Sequence, residues 1–340
     1  MVAVMSATGS GLVTMRDVFA ARHRLRGRAR RTPLEVSPRL SAHTGRAVSL
    51  KLECEQATGS FKLRGAVSAL AALSDDARRR GVVAASTGNH GRALAHAARE
   101  AGAQAVVCIS ELVPQNKVDA LRELGADVRI AGASQDDAQL EVDRLVAEQG
   151  LSEIPPFDHR GVIAGQGTIG LEIAEDEPGV DTVLVPLSGG GLAAGIGLAV
   201  ATAAPGARVI GVSMERGAAM AASLRAGRPV DVIEQRSLAD SLGGGIGNDN
   251  RFTLSMVQAF VADVVLVSEA EIAAAMRYAY REERRVLEGA AAVGIAALMS
   301  GRVSELGDRV VVVASGRNVD MDAFTRVVAH GWDGPGAHIE

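Results

Sequence analysis

Lys62 closes the stretch Glu53-Cys54-Glu55-Gln56-Ala57-Thr58-Gly59-Ser60-Phe61-Lys62, directly after a tight polar turn, beside the ring of Phe61 and in front of an alanine-rich run. An amine held at a helix entrance and away from bulk water can lose enough basicity to act as a nucleophile or to form a Schiff base. Most lysines are solvated. Lys62 alone therefore reads as a surface residue, and the rest of the chain has to decide.

Three other clusters carry complementary chemistry. Ser188-Gly189-Gly190-Gly191-Leu192 follows an apolar run and opens a helix, so its backbone N–H groups and the helix dipole suit a phosphate. Three consecutive glycines at a helix entrance favour that reading over a merely tight turn. The loop lacks the Gly-Lys-Ser/Thr of a P-loop, but Gly189, Gly191 and Ala194 fit the looser G-x-G-x-x-A dinucleotide pattern, with Glu215 closing the next strand. A nicotinamide or flavin enzyme stays open on those residues, although it gives Lys62 no task. Ser86-Thr87-Gly88-Asn89-His90 brings hydroxyls, an amide and free N–H groups to another helix start, equipment for holding a carboxylate. Helix capping explains one of these polar residues and not the cluster. Ser315-Gly316-Arg317-Asn318 follows the apolar run Val310 to Ala314 and presents a hydroxyl.

The elements that must position these loops alternate in kind. Helical patterns over Thr14 to Arg26, Gly65 to Arg80, Asn116 to Leu124, Ser134 to Gln149, Leu192 to Thr202, Ala218 to Arg225 and Glu269 to Arg284 are separated by short apolar runs. Those runs, at residues 47–52, 81–85, 105–109, 127–130, 182–186, 208–212, 264–267 and 310–313, read as strands. The alternation predicts α/β architecture with parallel sheets and right-handed crossovers. Ile154-Pro155-Pro156-Phe157-Asp158 reads as a crossing point between domains, and residues 1–11 as a loose tail.

Composition narrows the classes. The 340 residues carry 3% aromatics and a formal net charge of -4, which leaves neither stacking platform nor basic track for nucleic acid. The arginines between Arg22 and Arg31 read as a solvated helix face. Cys54 and Cys108, the two cysteines, fit a reducing compartment, with the cytoplasm as the expectation. No segment approaches the ~20 apolar residues of a membrane span.

Taken together, Ser60-Phe61-Lys62-Leu63-Arg64-Gly65-Ala66, Ser86 to Gly91, Gly165-Gln166-Gly167-Thr168-Ile169-Gly170, Ser188 to Leu192 and Ser315 to Asn318 resemble, in this order, the motifs of the threonine/serine dehydratase group of fold-type II pyridoxal-phosphate enzymes. Ser237 to Gly247 and Tyr280-Arg281-Glu282-Glu283 look most similar to the hydroxyectoine utilization dehydratase subgroup. The resemblance implies two open parallel-sheet α/β domains, tryptophan synthase beta-like, with the site in the cleft between them. Residues 1–76 and 160–340 would form the large cofactor-binding domain and 77–159 a small mobile one.

By the same resemblance Lys62 forms the Schiff base with pyridoxal 5'-phosphate and then takes the α-proton, Phe61 flanks the ring and Asn89 meets its 3-oxygen. Ser188, Gly189, Gly190, Gly191 and Leu192 would hold the phosphate, and Ser315 would face the pyridine nitrogen. Ser86, Thr87, Gly88 and His90 would hold the substrate carboxylate, with Ser86 or Thr87 able to deliver a proton opposite Lys62. The implied reaction is α,β-elimination from an α-amino-β-hydroxy acid, giving a 2-oxo acid and ammonia. A serine/threonine dehydratase, a serine-type racemase and a non-catalytic ligand-binding relative are the alternatives.

The chain also departs from the family pattern. Glu215 and Ala219 fit a cation site of many relatives, but Ala221 stands where its Asp should be, so no metal is expected. Ser241 and Arg317 replace usual glycines. A homodimer is expected, and no regulatory domain after residue 340.

Overall fold

The computed structural model describes residues 12–86, 88–113 and 115–331, so the expected tail over residues 1–11 lies outside the described residues. The strands are β1 (Leu34–Val36), β2 (Ala47–Lys51), β3 (Val82–Ala85), β4 (Ala105–Ile109), β5 (Asp127–Ile130), β6 (Ser152–Glu153), β7 (Thr182–Pro186), β8 (Arg208–Met214), β9 (Asp263–Val267) and β10 (Arg309–Val313). They build a six-stranded sheet in the order β1-β2-β10-β7-β8-β9 and a four-stranded sheet in the order β5-β4-β3-β6. Every pairing is parallel except β1 with β2. The two-sheet α/β fold is the expected one.

β10, the last strand in sequence, lies in the middle of the larger sheet, with Val312 opposite both Leu50 of β2 and Leu184 of β7. Its unbroken valine run is what a strand covered on both faces needs. Val310 and Val312 enter one apolar core, while Val311 and Val313 enter the other. Each such side chain removed from water contributes roughly 1.5–3 kcal/mol.

Three helices stack on one another through glycine. The helices Lys62–Leu70, Arg160–Asp176 and Gly191–Ala203 approach so closely that a Cβ on Gly165 would overlap the Arg64 carbonyl, and one on Gly195 would overlap the Ile163 carbonyl. Glycine weakens an isolated helix, and no helix is predicted from sequence across residues 160–176. The structure uses these glycines for contact between helices instead.

Other differences have local causes. The single helix expected over 65–80 is two, Lys62–Leu70 and Asp75–Arg80, because Ser74 starts the second by accepting from the Ala77 N–H at 3.2 Å. Lys62 thus sits in the first turn of its helix and not ahead of it. The helix Gly289–Met299 is buried along its first ten residues, Gly289 to Leu298, and so has no polar face to give it a readable period.

Candidate active site

The segment carrying Lys62 is zipped to the exit of β10. Phe61 N–H donates to the Ser315 carbonyl at 3.0 Å, Arg317 N–H to the Gly59 carbonyl at 2.9 Å, and Ser60 bridges Gly316. Backbone pairing therefore brings Ser315 to the lysine. The Lys62 Nζ lies 5.3 Å from the centre of the Phe61 ring and donates to the Pro156 carbonyl at 2.7 Å. Burial lowers its pKa to about 8, against the opposing pull of the Glu288 carboxylate.

The glycine loop opens from the end of β7. Gly190 has φ of +89° and caps the helix Gly191–Ala203, whose first N–H groups have no partner within the helix. Phe157 dictates the neighbouring glycines. A Cβ on Gly189 would overlap the Phe157 ring, and one on Gly191 would come within 2.9 Å of the Phe157 carbonyl. Glu215, the acid that the dinucleotide pattern requires, faces Arg302 at 3.3 Å and does not line the cleft. Among the described residues no group of three His, Cys, Asp or Glu could hold a metal ion.

The third loop follows β3. The Ser86 hydroxyl oxygen accepts from Gly91 N–H at 3.1 Å, the one capping task in the cluster. Thr87 lies outside the described residues. Asn89 is buried at the start of the helix Asn89–Glu100, donates Nδ2–H to Glu288 Oε1 at 2.8 Å and accepts from Asn318 Nδ2 at 2.6 Å. These two partners fix which end of the amide is the donor. The His90 ring pairs Nε2 with the Ile154 carbonyl at 2.6 Å, and burial and Lys62 lower its pKa to about 3. It is therefore neutral, with only the Nδ1 lone pair left over. The His90 ring thus has no donor to spare for a carboxylate, and the backbone N–H at the helix start is the group that remains.

Glu288, Asn318, Pro156 and Phe157 are the site residues that sequence reasoning missed. Glu288 is the sole charge between Arg285 and Arg302, a signal visible in the chain. Its carboxyl is buried, accepts from Asn89 Nδ2 and from Asn318 N–H at 3.1 Å, and is raised to about 8 by burial and by Asp240. Lys62, Ser86, Gly88, Asn89, His90, the Ser188–Leu192 loop and Ser315 all line one cleft of about 750 Å3. It lies at the carboxyl ends of β3, β7 and β10, where α/β sheets bind ligands.

Parallel α/β sheets with a desolvated lysine and a glycine cradle in one cleft suit an enzyme that works through a carbonyl cofactor with an anionic handle. The chain belongs to the family described as pyridoxal-phosphate dependent enzymes, whose pattern matches residues 25–316. It is 60% identical to a Sinorhizobium fredii protein provisionally named threonine dehydratase, over 93% of this chain and 95% of that one. It is 40% identical to the L-threonine ammonia-lyase of Thermotoga maritima, over 94% and 79%. Among solved structures, maize serine racemase superposes with a TM-score of 0.88 at 31% identity, covering 92% of this chain and 96% of that one. Tomato threonine deaminase isoform 2 gives 0.86 at 33%, covering 93% and 90%.

The chain is thus a pyridoxal-phosphate-dependent lyase by family. Its residues fit that cofactor: an amine of lowered pKa for the aldehyde, and a loop of backbone N–H groups at a helix start where Phe157 leaves no room for a Cβ on Gly189. No helix among the described residues is long and apolar enough to cross a membrane.

Proposed function

We propose that this protein eliminates water from an α-amino-β-hydroxy acid and that the enamine so formed tautomerises and is hydrolysed, taking one water back, to a 2-oxo acid and ammonia. The observation that carries the reading is the Lys62 amine, of lowered pKa and in one cleft with the glycine cradle and Ser315. When bound, pyridoxal phosphate supplies an electron sink that acidifies the α C–H of the substrate. The Ser188–Leu192 loop holds the phosphate through backbone N–H groups, Asn89 offers its second Nδ2–H to the 3-oxygen, and Ser315 gives the ring nitrogen a neutral partner. A neutral partner tempers the sink and favours elimination. Lys62 Nζ, its pKa lowered by burial to about 8, takes the α-proton. Ser86, Thr87, Gly88 and the His90 N–H hold the substrate carboxylate, and Ser86 or Thr87 supplies a proton on the opposite face. Phe61 and Phe157 keep water from the amine.

The finer reading is a substrate derived from hydroxyectoine, as in the subgroup that Ser237 to Gly247 resembles. Asp231, Glu234 and Asp240 line the cleft and complement a second ammonium on such a diamino acid. Residues 77–159 act as the small mobile domain against 1–76 and 160–340, in a cytoplasmic homodimer. Racemisation is the second reading, favoured by the likeness to serine racemases.

Absorbance and product analysis test these readings. Purified protein shows a cofactor band that Lys62→Ala abolishes, and releases equal amounts of 2-oxo acid and ammonia from β-hydroxy amino acids. A D-amino acid as main product selects the racemase reading, and protein without the band sinks both.

A further inference from the structure

A buried cluster of charges lies behind the helix that carries Lys62. The Arg64 guanidinium meets Glu53 through Nε and Nη2, each at 2.8 Å, and Glu172 through Nη1 at 2.6 Å and Nη2 at 2.8 Å. Thr168 Oγ1 accepts from Nη1 at 3.2 Å. Lys51 Nζ joins from β2, donating to Glu172 at 2.7 Å and to the Thr32 carbonyl at 2.7 Å, and Thr32 donates its hydroxyl to Glu53 at 2.5 Å. Arg64, Glu53, Lys51 and Glu172 are all buried. Asp176 also lies 3.7 Å from Lys51 Nζ and is itself paired with Arg31, so three cations stand against three carboxylates. The cluster is therefore a poor source of field at Lys62, whose pKa is moved by burial and Glu288 and not by Arg64.

Its geometry suggests a mechanical task. Glu53 and Arg64 stand at the two ends of the segment that contains Lys62, so their paired contact closes that segment at its base. Two residues further along a helix means a turn of about 200°, which puts Arg64 on the back of the helix when Lys62 faces the cleft. The neighbouring helix Arg160–Asp176 holds the Lys62 helix against rolling chiefly through Arg64, which Thr168 and Glu172 of that helix engage. Their closest approach sets Gly165 against Gly65 and the Arg64 carbonyl, with the Val162 methyl and the Gln166 amide lying over Gly65. The Gln166 amide beside Gly65 makes no hydrogen bond that could act as a latch.

We infer that Arg64 is a positioning residue: forked between Glu53 and Glu172, it fixes the rotation of the Lys62–Leu70 helix and thereby aims the Lys62 amine into the cleft. The inference rests on the reading that Lys62 captures the cofactor aldehyde, forming a carbon–nitrogen double bond with loss of one water. Arg64 touches none of the reacting atoms.

The test compares two probes on the purified cofactor-free chain. Pyridoxal phosphate binds through the cradle and through Lys62; pyridoxamine phosphate has no aldehyde and uses the cradle alone. Arg64→Lys keeps the charge and loses the fork, and Thr168→Val removes a single bond to Arg64, so it keeps the test open should Arg64→Lys fold poorly. Affinity for pyridoxal phosphate is expected to fall by at least about tenfold in Arg64→Lys, as misplacement of a reacting group does, and by less in Thr168→Val. Affinity for pyridoxamine phosphate stays at the wild-type value in both. Parallel loss of both ligands would show a general structural role and overturn the inference, as would no change in either. Wild-type protein that binds pyridoxal phosphate no differently from Lys62→Ala would instead overturn the reading on which the inference rests.

Discussion

The Lys62 amine is held against the carbonyl of Pro156, 2.7 Å away. That carbonyl belongs to the segment whose other groups accept from His90 at Ile154, pack on the glycine loop through Phe157 and cap the helix Thr253–Phe260 through Asp158. A stretch that sequence alone marks as a crossing point thus touches Lys62, His90 and the glycine loop.

Lys62 is held at about 8 from an ordinary value of 10.5. Between those values the unfolded chain holds more protons than the folded one, so the stability of cofactor-free protein rises with pH from about 8 to 10.5. Below that window the penalty is complete. Lys62→Met is expected to raise the melting temperature at pH 7 by about 2 °C or more and to flatten the alkaline rise. Thermal melts across this range check it; an unchanged or lower melting temperature in the variant contradicts it.

Glu288 has the opposite sign. Its folded value of about 8 lies above the ordinary 4.5, so its contribution is complete below 4.5 and is lost as pH rises through 8. Glu288→Gln imitates the protonated acid and should flatten urea stability over that window at little cost in acid. Glu288→Ala strands Asn89 Nδ2 and the Asn318 N–H, at about 1–3 kcal/mol for each. Equal urea midpoints for the two variants would refute the assignment.

The cradle is fitted to Phe157. Gly189→Ala should abolish tight binding of pyridoxal phosphate, because its methyl takes the space of the ring, and adding Phe157→Leu should restore much of it. Gly191→Ala meets the Phe157 backbone instead, so the same second change leaves it unrescued. Titration of the four variants measures the coupling. Rescue of both glycine variants, or of neither, is the adverse outcome.

His90 does not ionise in the working range, its pKa having been lowered to about 3. His90→Gln keeps a donor for the Ile154 carbonyl and should retain most activity, with an unchanged acid limb in the profile of kcat/KM. His90→Phe orphans that carbonyl and should cost about 1–3 kcal/mol of stability. A shift of the acid limb in His90→Gln would assign the ring a protonic role that its geometry denies.

The positions of Lys62, the glycine loop and Ser315 are legible in the chain because each depends on short-range rules: small residues after an apolar run, at the mouth of a helix. Glu288 is less so. It reads as one acid before an apolar run, and only the meeting of residues 199 apart in sequence gives it Asn89 as a partner. The glycines at 165, 167 and 170 carry the same lesson, since a glycine motif in isolation suggests a loop and only the helices packed against it make it a close contact.

The sequence by itself determined the alternation of strand and helix, the apolar run that became the central β10, and the residue types that could do chemistry, because backbone preference and burial are written into local composition. Tertiary structure decided what those residues do. It set β10 between β2 and β7, zipped Ser315 to Phe61, committed the His90 ring as a neutral donor to Ile154, and buried Arg64 behind Lys62. Desolvation, hydrogen-bond pairing and the spacing of helices arise between segments distant in the chain, and no local pattern carries them.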